Sequence, residues 1–273
     1  MKLVTFERLD GRLAVGELRG DDLYVLDTDL SMNELAGEAS LPKTDGAHKV
    51  MKHKGFRAPI RPSKIFCVGR NYAEHAAELD NSVPEKPLIF SKYPTCVVAN
   101  GDTVEWQQSI TETVDWEGEL VVVIGKAAKH ISEDDAYDHV FGYTIANDIS
   151  ARDIQSSESQ WVRAKAQDTF CPLGSVIVTK DEITDPHTLD IKTTVNGETM
   201  QDSNTQHMVF KVPYLVAYLS QTFTLLPGDI ILTGTPAGVG KGMNPPRFLA
   251  DGDEVSVIIE GIGTLTNPCK ILY

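Results

Sequence analysis

Two acidic side chains separated by one glycine, Glu117 and Glu119, stand in Asp115-Trp116-Glu117-Gly118-Glu119-Leu120, where an apolar strand begins. Side chains two apart on a strand point to the same face, so the two carboxylates should converge. Like charges held that close repel, and a cation between them, or a proton kept on one of them, relieves the repulsion. A third acid, Asp148, ends the apolar stretch Tyr143 to Asn147, a strand terminus from which a ligand can be offered to a site. An all-oxygen set of this kind selects a hard ion, Mg²⁺, Mn²⁺ or Ca²⁺, over zinc. The same residues also suit a plainer role: Glu117 and Glu119 on the solvent face of an edge strand, and Asp148 as a turn or helix cap.

A second group lies upstream. In GRNYAEHAAEL the spacing predicts a helix with Asn71 as N-cap and Glu74 at N3. His75 and Glu78 are then i and i+3 neighbours, so Glu78 can orient the imidazole for proton transfer, or both can be a solvated surface pair. Arg152 and Lys165 are cations close in sequence to Asp148; beside a carboxylate cluster they can hold an anionic substrate, and elsewhere they would be solvated. The segment ILTGTPAGVGKG is not a phosphate loop, because Lys241 is followed by Gly242 rather than Ser or Thr, and Met243 occupies the third glycine position of a dinucleotide fingerprint. It reads either as a loop whose backbone N–H groups and Thr235 hydroxyl bind a carboxylate, or as a structural turn. No G-x-S-x-G elbow is present, so serine-nucleophile hydrolysis has no support.

These residues need strands to hold them. KIFCVG, ELVVVIG, GYTIAND, GDIILTG and DEVSVIIEG read as strands, and Asp190 to Met200 as two strands turned at Asn196-Gly197. Lys2 to Asp27 alternates apolar and polar residues around Asp10-Gly11 and Gly20, a small β meander. Lys43 to Pro62 reads as a linker, with a domain boundary near residue 60. Helices are expected at Asn71 to Leu79, Glu133 to His139 and Pro213 to Phe223, the last with Val216, Leu219 and Phe223 on one face. The long strands lack regular crossover helices, which disfavours a doubly wound fold.

Composition narrows the classes. A net charge of −14 with no long basic run argues against nucleic acid as a partner. Four scattered cysteines without a C-x-x-C pair indicate neither a zinc knuckle nor a disulfide framework, and fit a reducing cytoplasm. The longest apolar run, around Leu120 to Ile124, is far below a membrane span, and the N-terminal residues show no apolar targeting core, so a soluble, non-exported protein is expected.

The ordered series VGRNYAEHAAEL, VDWEGEL, FGYTIANDISARD, AKAQDTFCPLG, VNGE, LLPGDIILTGTPAGVG and IEGIGTLTNP resembles the fumarylacetoacetate hydrolase family over about Lys64 to Pro268. The resemblance implies an α+β, mainly β protein, with a mixed β-roll catalytic domain over residues 61–273 and a small N-terminal α/β accessory domain over residues 1–60. It implies Glu117, Glu119 and Asp148 as ligands of Mg²⁺ or Mn²⁺, with Ca²⁺ as a substitute, and His75 with Glu78 as a water-activating pair on a lid segment. It implies Lys165 as catalytic, Arg152, Thr235, Gly234 and Gln155 as substrate-binding, and a homodimer. One departure is Ala166-Gln167, where relatives often carry Gly or Ser and then Phe, which bears on the substrate wall beside Lys165. The expected activity is cleavage of the C3–C4 bond of a small 2-oxo acid through a metal-stabilised pyruvate enolate, as an acylpyruvate hydrolase or oxaloacetate decarboxylase. The alternatives are isomerisation of a 2-hydroxy-dienoate in aromatic catabolism and a non-catalytic metal- or metabolite-binding protein.

Overall fold

The computed structural model describes residues 1–42 and 49–273. Its backbone is a ten-stranded mixed sheet stacked on a five-stranded sheet, with two short ribbons between loops. At the centre of the large sheet, Gly118–Ile124 pairs antiparallel with Val140–Asn147 on one side and with Ile230–Leu232 on the other. Ile230–Leu232 then pairs parallel with Ile65–Gly69.

The continuous apolar reading of Gly118–Ile124 has a simple cause, since both faces of this strand are covered. Leu120, Val122 and Ile124 pack with Leu215, Val216 and Leu219 of the helix Val212–Thr222 and with Val257 and Ile259 of the small sheet. Val121 and Val123 turn the other way, towards Met32 and Leu35 of the short helix Met32–Ala36 and towards Cys67, Ile230 and Leu232. Gly118 lies where the two sheets touch. A Cβ there would stand 2.3 Å from Thr193 Oγ1 and 2.9 Å from Val257 Cγ1, so only glycine permits that contact.

The meander of the first residues forms as Lys2–Glu7, Leu13–Arg19 and Asp22–Val25, and Lys2–Glu7 pairs with Val176–Thr179, so these strands extend the large sheet. Part of the expected linker, residues 43–48, lies outside the described residues. Further along that segment, Gly55–Arg57 is a strand paired with Lys2–Glu7. The hairpin at Asn196-Gly197 forms, with positive φ of 53° and 80° at its two corner residues.

The helices differ from expectation in detail. Glu133 to His139 yields only a 3-10 turn over Ala136–His139. Phe223 lies beyond the last turn of Val212–Thr222 and is 41% exposed, resting on Phe66 rather than completing the buried stripe.

Asn71 is no N-cap. The helix runs over Ala73–Glu78 behind Tyr72, and Asn71 is fully buried before it. Its Nδ2 donates to Phe210 O at 3.0 Å and Thr233 O at 2.7 Å, while its Oδ1 accepts from Phe210 N at 2.7 Å. One amide thereby ties the Ile65–Gly69 turn to the loop that follows Ile230–Leu232. Asn71→Ala strands the Phe210 and Thr233 backbone groups, and is expected to destabilise by about 2–4 kcal/mol. A urea unfolding midpoint shifted at constant slope measures it; an unshifted midpoint contradicts the assignment.

Candidate metal and substrate site

Register alone brings the three acids together. Gly118 pairs with Asn147 and Glu119 with Ala146, so the next residue on each strand, Glu117 and Asp148, adjoin, and Asp148 N donates to Glu117 O at 2.8 Å. Glu117 N is held by Asn147 Oδ1 at 2.9 Å. From the loop that follows Ile230–Leu232, Gly234 N donates to Glu119 Oε2 at 2.7 Å. Glu117, Glu119 and Asp148 are all buried and offer carboxylate oxygens within 4.8 Å of one another. The edge-strand and turn-cap alternatives are thereby removed.

Bases surround them. Lys165 Nζ lies 2.6 Å from Glu117 Oε2 and 3.1 Å from Asp148 Oδ2, and Lys92 Nζ lies 2.8 Å from Asp148 Oδ1. Both ammonium groups stand off the hydrogen-bonding directions of Asp148, whose two oxygens have no hydrogen-bond partner among the described residues. Arg152 donates from Nε to Asp115 at 2.7 Å and from Nη1 to Glu117 at 2.7 Å and Gln155 at 2.9 Å; its Nη2 is buried without a partner among the described residues.

Counting charges shows why a cation fits. Four buried acids, Asp115, Glu117, Glu119 and Asp148, face three buried bases, Lys92, Arg152 and Lys165, an excess of one negative charge if all are ionised. Burial tends to raise the Glu117 carboxyl, but Lys165 and Arg152 hold it below the ordinary carboxylate range. Glu119 has no cation beside it except through Lys165 at longer range, and burial together with the charges of Asp148 and Glu117 pushes its carboxyl well up. A divalent ion among these oxygens would satisfy the unpartnered Asp148 oxygens and relieve Glu119 at once. The residues present therefore fit such an ion.

His75 is buried, not solvated, and its Nδ1 lies 3.2 Å from Glu78 Oε2. Glu78 is fixed in turn, its Oε1 accepting from Gly238 N at 2.8 Å. No partner for His75 Nε2 is found among the described residues. His75, Glu117, Glu119, Arg152, Gln155, Lys165 and Thr235 all line one cavity of about 310 Å³.

The glycine-rich loop binds the protein's own carboxylates. Gly234 N donates to Glu119, Gly238 N to Glu78, and Gly240 and Lys241 N to Asp115 at 2.7 and 3.1 Å. Thr235 Oγ1 donates to Gly118 O at 2.9 Å and accepts from Gln201 Nε2 at 2.7 Å, while it lines the cavity. Gly234 has φ +97°, and a Cβ there would lie 2.7 Å from Asn71 Cβ.

Sequence reasoning missed Lys92, Asp115 and Gln201. Lys92 had a signal, a charged residue closing the apolar strand Leu88–Lys92; it is fully enclosed and also donates to the carbonyls of Phe170 at 2.7 Å, Ile149 at 3.2 Å and Lys165. The wall beside Lys165 is not made by Ala166 and Gln167, which face another cavity. Phe90 and Trp161 form it, edge to face at 5.3 Å, with the Lys165 ammonium 5.1 Å above the Phe90 ring.

A mainly β, mixed-sheet α+β protein with a buried Glu-Glu-Asp cluster at the end of its central strands is the class that fold and site define. The family model for the fumarylacetoacetate hydrolase C-terminal domain matches residues 64–270, and the chain belongs to that family. It is 50% identical over 216 residues to oxaloacetate tautomerase YisK of Bacillus subtilis, covering 78% of this chain and 72% of that protein. Among solved structures, fumarylacetoacetate hydrolase from psychrophilic Exiguobacterium antarcticum superposes with TM-score 0.90 at 40% identity, with full coverage of both chains. The 2-hydroxyhepta-2,4-diene-1,7-dioate isomerase from Mycobacterium marinum gives 0.79 at 37% identity, covering 99% of this chain and 98% of that one. No helix among the described residues is long and apolar enough to cross a membrane.

Proposed function

We propose that the chain is a divalent-metal-dependent enzyme that interconverts the enol and keto forms of a small 2-oxo dicarboxylic acid of the oxaloacetate class. The observation that carries this reading is one cavity lined by Glu117 and Glu119, two members of the buried triad completed by Asp148, and by a histidine whose Nδ1 is held by Glu78 while Nε2 has no partner among the described residues. The relative at 50% identity that bears the name oxaloacetate tautomerase supports it.

Mg²⁺ or Mn²⁺, with Ca²⁺ as a substitute, would be held by Glu117, Glu119 and Asp148 and would supply positive charge that acidifies C3–H of a bound 2-oxo acid. Arg152, through its free Nη2, and Lys165 draw in and orient the substrate carboxylate. Gln155 keeps Arg152 in place, Gly234 holds Glu119, and Thr235 closes the wall. His75 Nε2 takes the proton from C3 and returns it at the oxygen on C2, or the reverse, while Glu78 opposite Nδ1 stabilises the imidazolium between the two transfers. Phe90 and Trp161 keep water from that side of the cavity.

The test is the decay of enol-oxaloacetate absorbance with Mg²⁺ or Mn²⁺, expected well above the spontaneous rate and abolished by chelator. Decay no faster than buffer removes the reading. A second reading, cleavage of C3–C4 by hydrolysis or decarboxylation, has its own supporting observation: the same His75–Glu78 pair suits activation of water for attack on a distal carbonyl. Acetylpyruvate and fumarylpyruvate discriminate hydrolysis, which alone consumes them, and release of carbon dioxide and pyruvate from oxaloacetate above the spontaneous rate discriminates decarboxylation. Dienoate isomerisation is the related proton-transfer alternative, and a non-catalytic binding protein has no use for the histidine pair. The reading also takes the protein as a cytoplasmic homodimer acting on a free small molecule, with neither nucleic acid nor membrane as partner. The net charge of −14 supports the absence of a nucleic-acid partner and the four free cysteines a reducing compartment, while the homodimer rests on the family resemblance. Residues 1–60 are read as accessory to the catalytic part, residues 61–273.

A further inference from the structure

Two further cations line the same cavity, and among the described residues neither makes an ion pair with a carboxylate. Arg70 is half-buried at the end of the strand Ile65–Gly69 and makes no hydrogen bond or ion pair from its side chain among the described residues. Its backbone lies in the left-handed region, φ 56°, which a side-chain-bearing residue adopts only against a steric penalty. Departures of this kind gather where a side chain must be presented to a ligand. Lys241, also half-buried, donates from its ammonium to the neutral hydroxyl of Ser156 at 2.7 Å among the described residues; burial and then the charge of Arg152 lower its affinity for a proton, Asp115 opposes them from beyond ion-pair distance, and a ligand anion beside it would favour the charged form.

The contrast with the other bases of the cavity decides what these two are for. Lys165 is committed to Glu117 and Asp148, and Arg152 to Asp115 and Glu117. Those pairs, with a bound cation, account for one end of a 2-oxo acid. Arg70 and Lys241 remain as uncommitted positive charge in a chain whose net charge is −14. Free charge of one sign in a partly closed cavity is set to meet charge of the other sign on a ligand.

We infer that Arg70 and Lys241 bind the distal carboxylate of the substrate, and so restrict this enzyme to dicarboxylic 2-oxo acids. The inference rests on the proposed enolisation at C3 and adds the group that selects among substrates. An arginine fork can take a carboxylate by two parallel hydrogen bonds, whereas the lysine contributes a point charge.

The experiment compares oxaloacetate with 2-oxobutanoate, in which a methyl replaces the distal carboxylate. C3 hydrogen–deuterium exchange is followed with Mg²⁺ and corrected for the spontaneous rate. The wild-type protein is expected to favour oxaloacetate in kcat/KM. Arg70→Gln is expected to reduce that preference by about 10- to 100-fold, acting mainly through KM, as loss of a charged hydrogen bond does. Arg70→Lys should restore part of the preference, and Lys241→Gln should show a smaller loss in the same direction. A preference unchanged in Arg70→Gln overturns the inference, as does a wild-type protein indifferent to the distal group, and both leave the enolisation reading intact. If the wild-type protein exchanges the C3 proton of neither acid, the enolisation reading falls and takes this inference with it.

Discussion

His75→Ala lowers kcat for oxaloacetate tautomerisation by about 100- to 10,000-fold, the range spanned by loss of a positioned general base, while Mn²⁺ affinity, read by EPR titration, stays as in the wild-type protein. The two readouts separate because His75 shares the cavity with Glu117 and Glu119 but does not contribute to the carboxylate triad. Glu78→Gln should fall between wild type and His75→Ala in rate, since the amide can still face Nδ1 yet no longer offsets a positive imidazole. Glu78 also holds Gly238 N, and Gly242 packs so closely that a Cβ there would lie 2.3 Å from Glu78 Cγ. The helix carrying the base is thereby sewn to the glycine-rich loop. If His75→Ala lost metal binding and turnover in equal measure, the division of labour between the histidine and the triad would be wrong.

The triad was legible in the sequence because strand geometry is nearly deterministic over short distances. Glu117 and Glu119 are two apart, and the apolar runs on either side of the turn region had to pair for burial. The side of the sheet on which they would face a cavity was not legible, and neither were the long-range partners. Lys92 and Asp148, more than fifty residues apart in sequence, meet only because the strands that lead to them end at the same place. Asn71 shows the limit from the other direction. Local rules make an asparagine before a helix a cap, but a fully buried amide with three backbone partners outbids that local use, because leaving those partners unsatisfied is dearer than leaving one helix end uncapped. The loop after Leu232 was read as a candidate binder of anions. It does bind carboxylates, but those of Glu119, Glu78 and Asp115, and that choice depends on tertiary placement no local pattern carries.

Asp148→Asn and Glu119→Gln should both weaken Mn²⁺ binding by more than about 100-fold, since each removes a charged oxygen from an all-oxygen set, yet they should part company when the metal is withheld. Asp148 is the counter-charge for two buried ammonium groups, Lys92 at 2.8 Å and Lys165 at 3.1 Å. Neutralising it leaves Lys92 with backbone carbonyls alone, and breaking a buried pair from one side destabilises by about 3–5 kcal/mol. Glu119 is in the opposite position. Its hydrogen-bond partner is the Gly234 N–H, to which an amide oxygen is also an acceptor, and burial with the charges of Asp148 and Glu117 already disfavours its ionised form, so it is the acid whose charge is in excess of the buried bases. In chelator, Glu119→Gln should therefore unfold in urea at the wild-type midpoint or slightly above it, and Asp148→Asn far below. Calorimetric Mn²⁺ titration and urea unfolding with chelator, run on both variants, test the charge count directly. Equal destabilisation of the two metal-free variants would show that the surplus charge does not reside at Glu119.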